Sequence, residues 1–438
     1  MKNQERKKLN IGVFGGYRGY TMIKVLFSHP NARLAAVCDK FEPLLDKVKD
    51  QAEKLGIEVA CYNNFEDFLA HPDLDAVVLA NYANEHATYA VRCLRAGKHV
   101  LSEVLPCETM AQAVELIETV EETGLVYAYA ENYCYMQHTF EMWKRYKTGE
   151  LGEAHYGEGE YIHDCSYIWP DITYGERDHW RNRMYPTFYC THSLGPLMTI
   201  TGLRPKSVVG FETVPNKDGE MARGTCNTAG IEMVTMENGA VFKSIHGGLK
   251  REPSSINYEL YCEKGMMESG RFYRNSQKHG YLSEGHCLNL YKEGEVLCHG
   301  DWEKYNPEAT VAKEARLQAG VEGHGGSDFY PTHCFIEKIL GGKDAEWSID
   351  VYTAVDMGIC GILAWRSVLN GNTPVAIPNL RNKEERDAWR NDHACTTPEV
   401  AGDQLLPVSS FPRVCEPCSD EVYEDVRRIW LGRQNRRI

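Results

Sequence analysis

Tyr189 and His192 stand three residues apart in the stretch Met184–Gly202, MYPTFYCTHSLGPLMTITG. On a helix, positions i and i+3 share a face, and a phenol and an imidazole so placed can pass a proton at one end of a substrate pocket. In isolation the pair also describes a packed tyrosine beside a satisfied core histidine, so its meaning depends on the rest of the chain. Tyr161 and His163 repeat the same residue types two apart in Glu160-Tyr161-Ile162-His163, a spacing that puts both on one face of a strand. Trp180 and Arg181 offer a stacking platform and a clamp for an anionic group, or else an edge of the core. His324 and Asp328, in Gly323-His324-Gly325-Gly326-Ser327-Asp328, lie one turn apart at an expected helix start, where a sugar hydroxyl or phosphate oxygen can be bound. A glycine-rich turn with a solvated histidine is the alternative there. His246, at the end of an expected strand, is a further candidate for the pocket.

The elements that must position these groups begin with an alternation of strand and helix. Leu9–Phe14 reads as a strand, Tyr20–Ser28 as a helix, Leu34–Cys38 as a second strand, and an amphipathic helix runs through about Leu55. A strand at Ala76–Ala80, a helix at His86–Ala96 and a strand at Val100–Ser102 complete a doubly wound parallel sheet. The turn Gly15-Gly16-Tyr17-Arg18-Gly19 follows the first strand at once. Glycines there admit a pyrophosphate close to the backbone, and the next helix offers its N–H groups and positive dipole end. Asp39, ending the second strand twenty residues beyond Gly19, suits ribose hydroxyls and disfavours a 2′-phosphate, which predicts NAD rather than NADP; Lys40 beside it weakens that exclusion. The turn is one residue shorter than G-x-G-x-x-G, so its position carries more weight than its letters. Asn81, His86, Glu103 and Asn132 are placed with the cofactor as well. Glu131 is placed with the substrate; like Glu103 it follows a strand at the carboxyl edge of the sheet, where ligands bind in open α/β folds and where capping the next helix is the plainer role.

Further on, Lys206–Glu212, Ile231–Met236, Ala240–Ile245 and Ile256–Cys262 read as strands, with Asn238-Gly239 as a hairpin turn. Two helices between Phe329 and about Leu369 are expected to pack back on that second domain. The division is thus a Rossmann domain over 1–135, an α+β substrate-binding and oligomerisation domain over 136–375, and a C-terminal extension over 376–438 that wraps the body or a neighbouring subunit. A chain of 438 residues has room for two cores, and a net charge of −14 argues against nucleic acid or an anionic membrane as partner. No secretory h-region or cleavage site follows the basic N-terminus and no apolar run is long enough to span a bilayer, so the expected compartment is the cytoplasm. Sixteen scattered cysteines then read as reduced, mostly buried thiols. His393, Cys395, Cys415 and Cys418 offer four zinc-type ligands, but the first half is H-x-C and both halves lie in a polar tail; incidental thiols are the favoured reading, with no metal expected.

Ala96-Gly97-Lys98-His99-Val100-Leu101-Ser102-Glu103 resembles the A-G-K-H-V-x-x-E-K-P signature of the Gfo/Idh/MocA oxidoreductases, a likeness that runs over roughly residues 8 to 370. The resemblance implies a nicotinamide-binding Rossmann domain and a C-terminal α+β domain with an open, largely antiparallel sheet. It also implies substrate between sheet and nicotinamide, and a homo-oligomer, dimer or tetramer, built on the sheet's outer face. Sugar dehydrogenases of the family place a Lys after the Glu and a D-x-x-x-H motif around the catalytic His; here those positions hold Val104 and Phe188, while the His survives as His192. Glu131-Asn132-Tyr133, Glu160-Tyr161-Ile162-His163, Tyr189–Pro196 and Gly323–Asp328 together are similar to the NAD-dependent α-N-acetylgalactosaminidase branch, whose Y-P-T-H-G-L-G-P has become Y-C-T-H-S-L-G-P. Segments around Trp180–Met184 and Lys243–Pro253 differ from that branch and leave the sugar open.

That branch implies oxidation at C3 of a pyranoside, loss of the acidified C2 proton with expulsion of the C1 substituent, water addition, and return of the hydride. Such a route needs a nicotinamide and near-neutral acid–base groups, not two opposed carboxylates. Tyr189 and His192 are assigned the C3-hydroxyl and C2-proton work, and Tyr161 and His163 the leaving-group side. Three readings follow: a redox-neutral glycosidase, a net glycoside 3-dehydrogenase feeding a separate lyase, and an NAD-binding regulator without catalysis.

Overall fold

The computed structural model describes residues 8–215, 228–250, 254–275, 282–292, 295–296, 312–321, 323–412 and 418–434. The chain divides into two compact units, one formed by 1–137 with 309–355 and the other by 138–308 with 356–438.

The first unit carries six parallel strands: β1 (Leu9–Phe14), β2 (Ala32–Cys38), β3 (Ala60–Tyr62), β4 (Ala76–Leu79), β5 (His99–Ser102) and β6 (Tyr127–Tyr129), in the order β3-β2-β1-β4-β5-β6. The crossovers are α1 (Tyr20–Ser28), α2 (Glu42–Leu55), α3 (Phe65–Leu69), α4 (His86–Arg95) and α5 (Met110–Thr123). Strands covered on both faces must be apolar throughout, and Ile11, Val13, Leu34, Val37, Val78 and Leu101 are all buried. Strand order reverses between β1 and β4, so the carboxyl ends of these two strands open the crevice that receives ligands in such sheets. The glycine turn follows β1 and Asn81 follows β4. A later helix, α10 (Tyr330–Leu340), supplies Phe335 and Ile336 to this core and packs against β5 and β6, not on the second domain as its place in the sequence suggests. An apolar helical face does not declare which sheet it covers.

The second unit is built on nine described strands in the order β14-β13-β12-β11-β7-β10-β9-β8-β15. These are β7 (Ala154–Ile162), β8 (Pro205–Glu212), β9 (Ala229–Met236), β10 (Val241–Gly247), β11 (Ser255–Cys262), β12 (Gly265–Asn275), β13 (Leu282–Lys292), β14 (Glu295–Val296) and β15 (Val375–Ala376). Among the described pairings only β10–β7 is parallel; the others are antiparallel. Along β9 and β10 buried residues alternate with half-buried ones, the period-two signature of a sheet with one covered face. That face carries α8 (Thr191–Thr201), which lies on β7, β10 and β11. The long α11 (Val351–Leu369) runs from the first unit into the second, and α14 (Asp420–Gln434) closes the described chain against α7 (Trp169–Thr173).

Candidate functional site

The first unit gathers one group of predicted residues at its glycine turn. Gly15 has φ +87°, a backbone conformation strained for an L side chain, and a Cβ there would collide with the main chain of Ala80 and Asn81. The turn therefore hugs the end of β4. Asp39 is tied to it: Oδ2 accepts from Tyr17 N at 3.2 Å and Oδ1 from Phe41 N at 2.8 Å. Burial pushes the Asp39 carboxyl up, while these N–H groups, that of Gly16 and the charge of Lys40 pull it back. The Lys40 ammonium donates to Tyr82 Oη at 2.7 Å and lies over that ring. Asn81 donates to Glu85 at 3.1 Å, yet its buried Oδ1 has no partner, and His86 Nδ1–H donates to the Leu105 carbonyl at 2.9 Å while its buried Nε2 has none. Burial drives the His86 imidazole down to about 4, so it is neutral at ordinary pH.

A second cluster in the same unit joins Arg18, Glu103, Glu131, Asn132, His324 and Asp328. Arg18 pairs with Glu103 at 2.6 Å, and Asn132 Nδ2 donates to Asp328 Oδ1 at 2.7 Å. Burial raises the Glu103 carboxyl, with Arg18 opposing. Burial also works on Asp328, but the hydrogen bond and charge of His324, with Arg18 and Asn132, outweigh it and hold that carboxyl below its usual range. Glu131 is fully buried and its Oε1 accepts from Tyr133 N at 3.3 Å. His324 is not at a helix start: it and the next two glycines take positive φ, in a turn that brings its Nδ1 to 3.0 Å from Asp328 and its ring against Tyr133, tilted, with centroids 5.6 Å apart.

In the second unit, Tyr189 lies in the turn before α8 rather than on it, since the helix begins at Thr191. The shared helical face is therefore replaced by a turn, and the rings still meet, edge to face, with centroids 4.8 Å apart. Tyr161 reaches the same imidazole from β7 at 4.9 Å, and its hydroxyl shares a hydrogen bond of 3.1 Å with His163 Nδ1, one residue past the strand. Trp180 is buried and stacks on Tyr189, with the Arg181 guanidinium over both rings at 4.5 and 5.3 Å. Six predicted residues thus share one aromatic and cationic cluster. His246 does not join it; buried between strands, it bonds Glu232 at 2.9 Å.

Departures from the family pattern fall on the covered side. Phe188 packs on Tyr185 and Trp180, and Val104 is buried, so neither position carries an acid–base group. Cys190 Sγ faces the Met357 carbonyl at 3.5 Å, and Ser193 Oγ meets Ser244 Oγ at 2.8 Å under α8. One supporting residue escapes a reading of the sequence. Pro196 sits inside α8 and has no N–H for the carbonyl four residues back, that of His192; Tyr258 Oη donates to it instead at 2.7 Å. A proline four residues after a candidate histidine is the available signal.

Cys415 lies outside the described residues, Cys395 Sγ faces the Thr397 carbonyl at 3.6 Å, and His393 is exposed. Among the described residues, His333, Glu337 and Asp344 bring ligand-type atoms within 4.8 Å. Their contacts form a relay: Asn31 N donates to His29 Nδ1 (3.2 Å), which leaves His29 Nε2–H for His333 Nδ1 (3.0 Å) and His333 Nε2–H for Asp344 (2.9 Å). The described cysteines are free thiols, most of them buried, and no described helix is long and apolar enough to cross a membrane.

Residues 9–131 match the family model of the oxidoreductase family with NAD-binding Rossmann fold, and 228–387 match the glycosyl hydrolase 109 C-terminal domain. A glycosyl hydrolase family 109 protein of Porphyromonas gingivalis is 25% identical over 408 residues, covering 85% of this chain and 84% of that one. A second, from Phocaeicola vulgatus, is 24% identical over 407 residues, covering 85% and 84%. Among solved structures, an Agrobacterium radiobacter oxidoreductase in complex with NAD+, L-tartaric acid and magnesium superposes with a TM-score of 0.64 at 14% identity, covering 84% of this chain and 98% of its own. Scyllo-inositol dehydrogenase of Lactobacillus casei, with bound NAD(H) and scyllo-inositol, gives 0.62 at 15%, covering 86% and 100%. The glycine turn, the acid ending β2 and the unpartnered Asn81 acceptor fit the cofactor of that fold. Residues 9–131 thus carry the NAD-binding Rossmann domain of the Gfo/Idh/MocA oxidoreductases, and residues 228–387 the C-terminal domain of the glycosyl hydrolase 109 proteins.

Proposed function

We propose that the protein is a redox-neutral glycosidase that works through C3 of a pyranoside. The observation that carries this reading is the ring cluster of Tyr189, His192, Tyr161 and His163. It keeps two phenols and two imidazoles together although the lysine and aspartate of the sugar dehydrogenases are absent. The altered Cys190 and Ser193 make packing contacts, which speaks against a decayed site.

NAD, when bound, supplies a hydride acceptor at the outset and a hydride donor at the end. The backbone of Gly15–Gly19 and the uncapped first turn of α1 would hold its pyrophosphate, and Asp39 its ribose hydroxyls. Tyr189 and His192 take the C3-hydroxyl proton, then the C2 proton that the 3-keto group has made acidic. Tyr161 with His163 protonates the leaving C1 oxygen and then orients the incoming water. Trp180, buried behind Tyr189, backs the sugar site, and Arg181 offers N–H donors to a sugar hydroxyl. Asn81, His86, Glu103 and Asn132 serve the cofactor; Glu131, His324 and Asp328 bind substrate hydroxyls. A homodimer or tetramer in the cytoplasm is the expected state.

Hydrolysis in D2O tests the route. The reading requires sugar product with deuterium at C2 and the original hydrogen at C3. Product with unexchanged C2 would exclude elimination, and NADH accumulating with the aglycone retained would favour the net dehydrogenase.

A further inference from the structure

The segment that presents Trp180 and Arg181 has little structure of its own. Between β7 and α8 it holds only short turns, Ser166–Ile168, the five-residue α7 and Trp180–Arg183. What grips it is α14, at the far end of the chain, beyond both matched families. Arg433 donates to Asp171 at 2.6 Å and to the Tyr167 carbonyl at 3.1 and 3.2 Å. Arg427 donates to the Tyr174 carbonyl at 2.7 Å and lies over Trp430, whose buried ring meets Tyr174 edge-on. Arg177 pairs with Asp420. Gly175 has φ +62°, and a Cβ there would collide with the Arg427 backbone, so the two chain segments touch with no side chain between.

The contact continues inward as a row of rings. Tyr174 meets His179 at 5.5 Å, His179 stacks on Trp180 at 5.9 Å, Trp180 on Tyr189 at 6.3 Å, and Tyr189 meets His192 at 4.8 Å. His179 is buried, and its Nδ1 accepts from Arg181 N at 3.2 Å. We infer that α14 is a positioning element for the substrate site: it holds the 165–183 segment so that Trp180 and Arg181 fix the Tyr189 ring. This rests on the reading of Tyr189 as an acid–base group. It gives the C-terminal extension a role that its sequence does not declare, because its arginines bind backbone carbonyls and Asp171 in a segment far earlier in the chain.

The test uses full-length Arg433→Gln, a change at a half-exposed guanidinium that leaves the core intact, and Trp430→Ala as the stronger variant. Hydrogen exchange is read first, without reference to activity. The expected result is exchange at least about tenfold faster across 165–183 with β9 and β10 unchanged. The glycoside kcat/KM should fall about tenfold or more while NAD affinity stays within about twofold, because a misplaced catalytic group is costly. Arg433→Lys should restore much of both. Unchanged exchange at 165–183, or exchange raised equally throughout the second unit in Arg433→Gln, would overturn the inference. So would a loosened segment with unaltered kcat/KM. If the wild-type protein cleaves no glycoside, that failure belongs to the functional reading, and the exchange pattern still decides whether α14 holds the segment.

Discussion

Among single residues, Tyr189 and His192 carry the proposed acid–base chemistry. Tyr189→Phe removes only a hydroxyl and His192→Ala only an imidazole; each is expected to lower kcat by at least about a hundredfold in steady-state assays. Near-wild-type rates in both would remove them from the chemistry. Asp39→Ala should weaken NAD binding and narrow the preference over NADP, read as the ratio of the two dissociation constants. An unchanged ratio would mean that the ribose is read elsewhere. The sequence singles these residues out as candidates by type: a phenol beside an imidazole can move protons, although the same pair also packs in cores, and an acid after a second strand can bind ribose hydroxyls. The conformations that bring them together were not legible. Tyr189 precedes its helix and His324 sits in a left-handed turn, and both depend on backbone dihedrals that side-chain types do not encode.

Among elements, α8 and the sheet beneath it set where the imidazole stands. Pro196 leaves the His192 carbonyl needing a donor, and Tyr258 supplies it. Tyr258→Phe should therefore cost roughly 1–3 kcal/mol, as expected for a buried acceptor stripped of its partner, seen as a lowered urea midpoint. A midpoint equal to wild type would mean that water or another donor replaces the phenol. Strands β1, β2, β4, β5 and β8 to β11 were readable from apolar runs and alternation to within a residue or two at most ends, whereas β7 and β12 to β15 were not delimited. Nor were the short β3 and β6, because three residues carry too little periodicity. The helix α10 was legible, but its docking on β5 and β6 was not, since that pairing is decided by contacts distant in sequence.

For the molecule as a whole, buried neutral histidines tie stability to pH. Burial, with the Lys8 charge, drives His29 down to about 3, and burial drives His86 to about 4. In the unfolded chain both take a proton near pH 6.5. Below that value the unfolded state binds more protons than the native one, so stability falls as pH drops from about 6.5 toward 4, by up to about 1.4 kcal/mol per pH unit for each histidine. Asp39, Glu85 and Glu103, raised by burial, take up protons in the native state and offset part of the loss at the acid end. Urea titrations at pH 7, 6 and 5 should show this decline, and His29→Gln should flatten it. A stability independent of pH over that range would contradict the buried, neutral assignment.

In the proposed cycle, hydride transfer serves bond cleavage without net oxidation. The most direct test is a panel of p-nitrophenyl glycosides incubated with the purified protein and NAD, with nitrophenol release and absorbance at 340 nm followed in the same cuvette. Nitrophenol release from at least one glycoside with no net NADH is the expected result. NADH rising in step with substrate consumed, with the nitrophenyl group still attached, would contradict it and make the protein a glycoside 3-dehydrogenase.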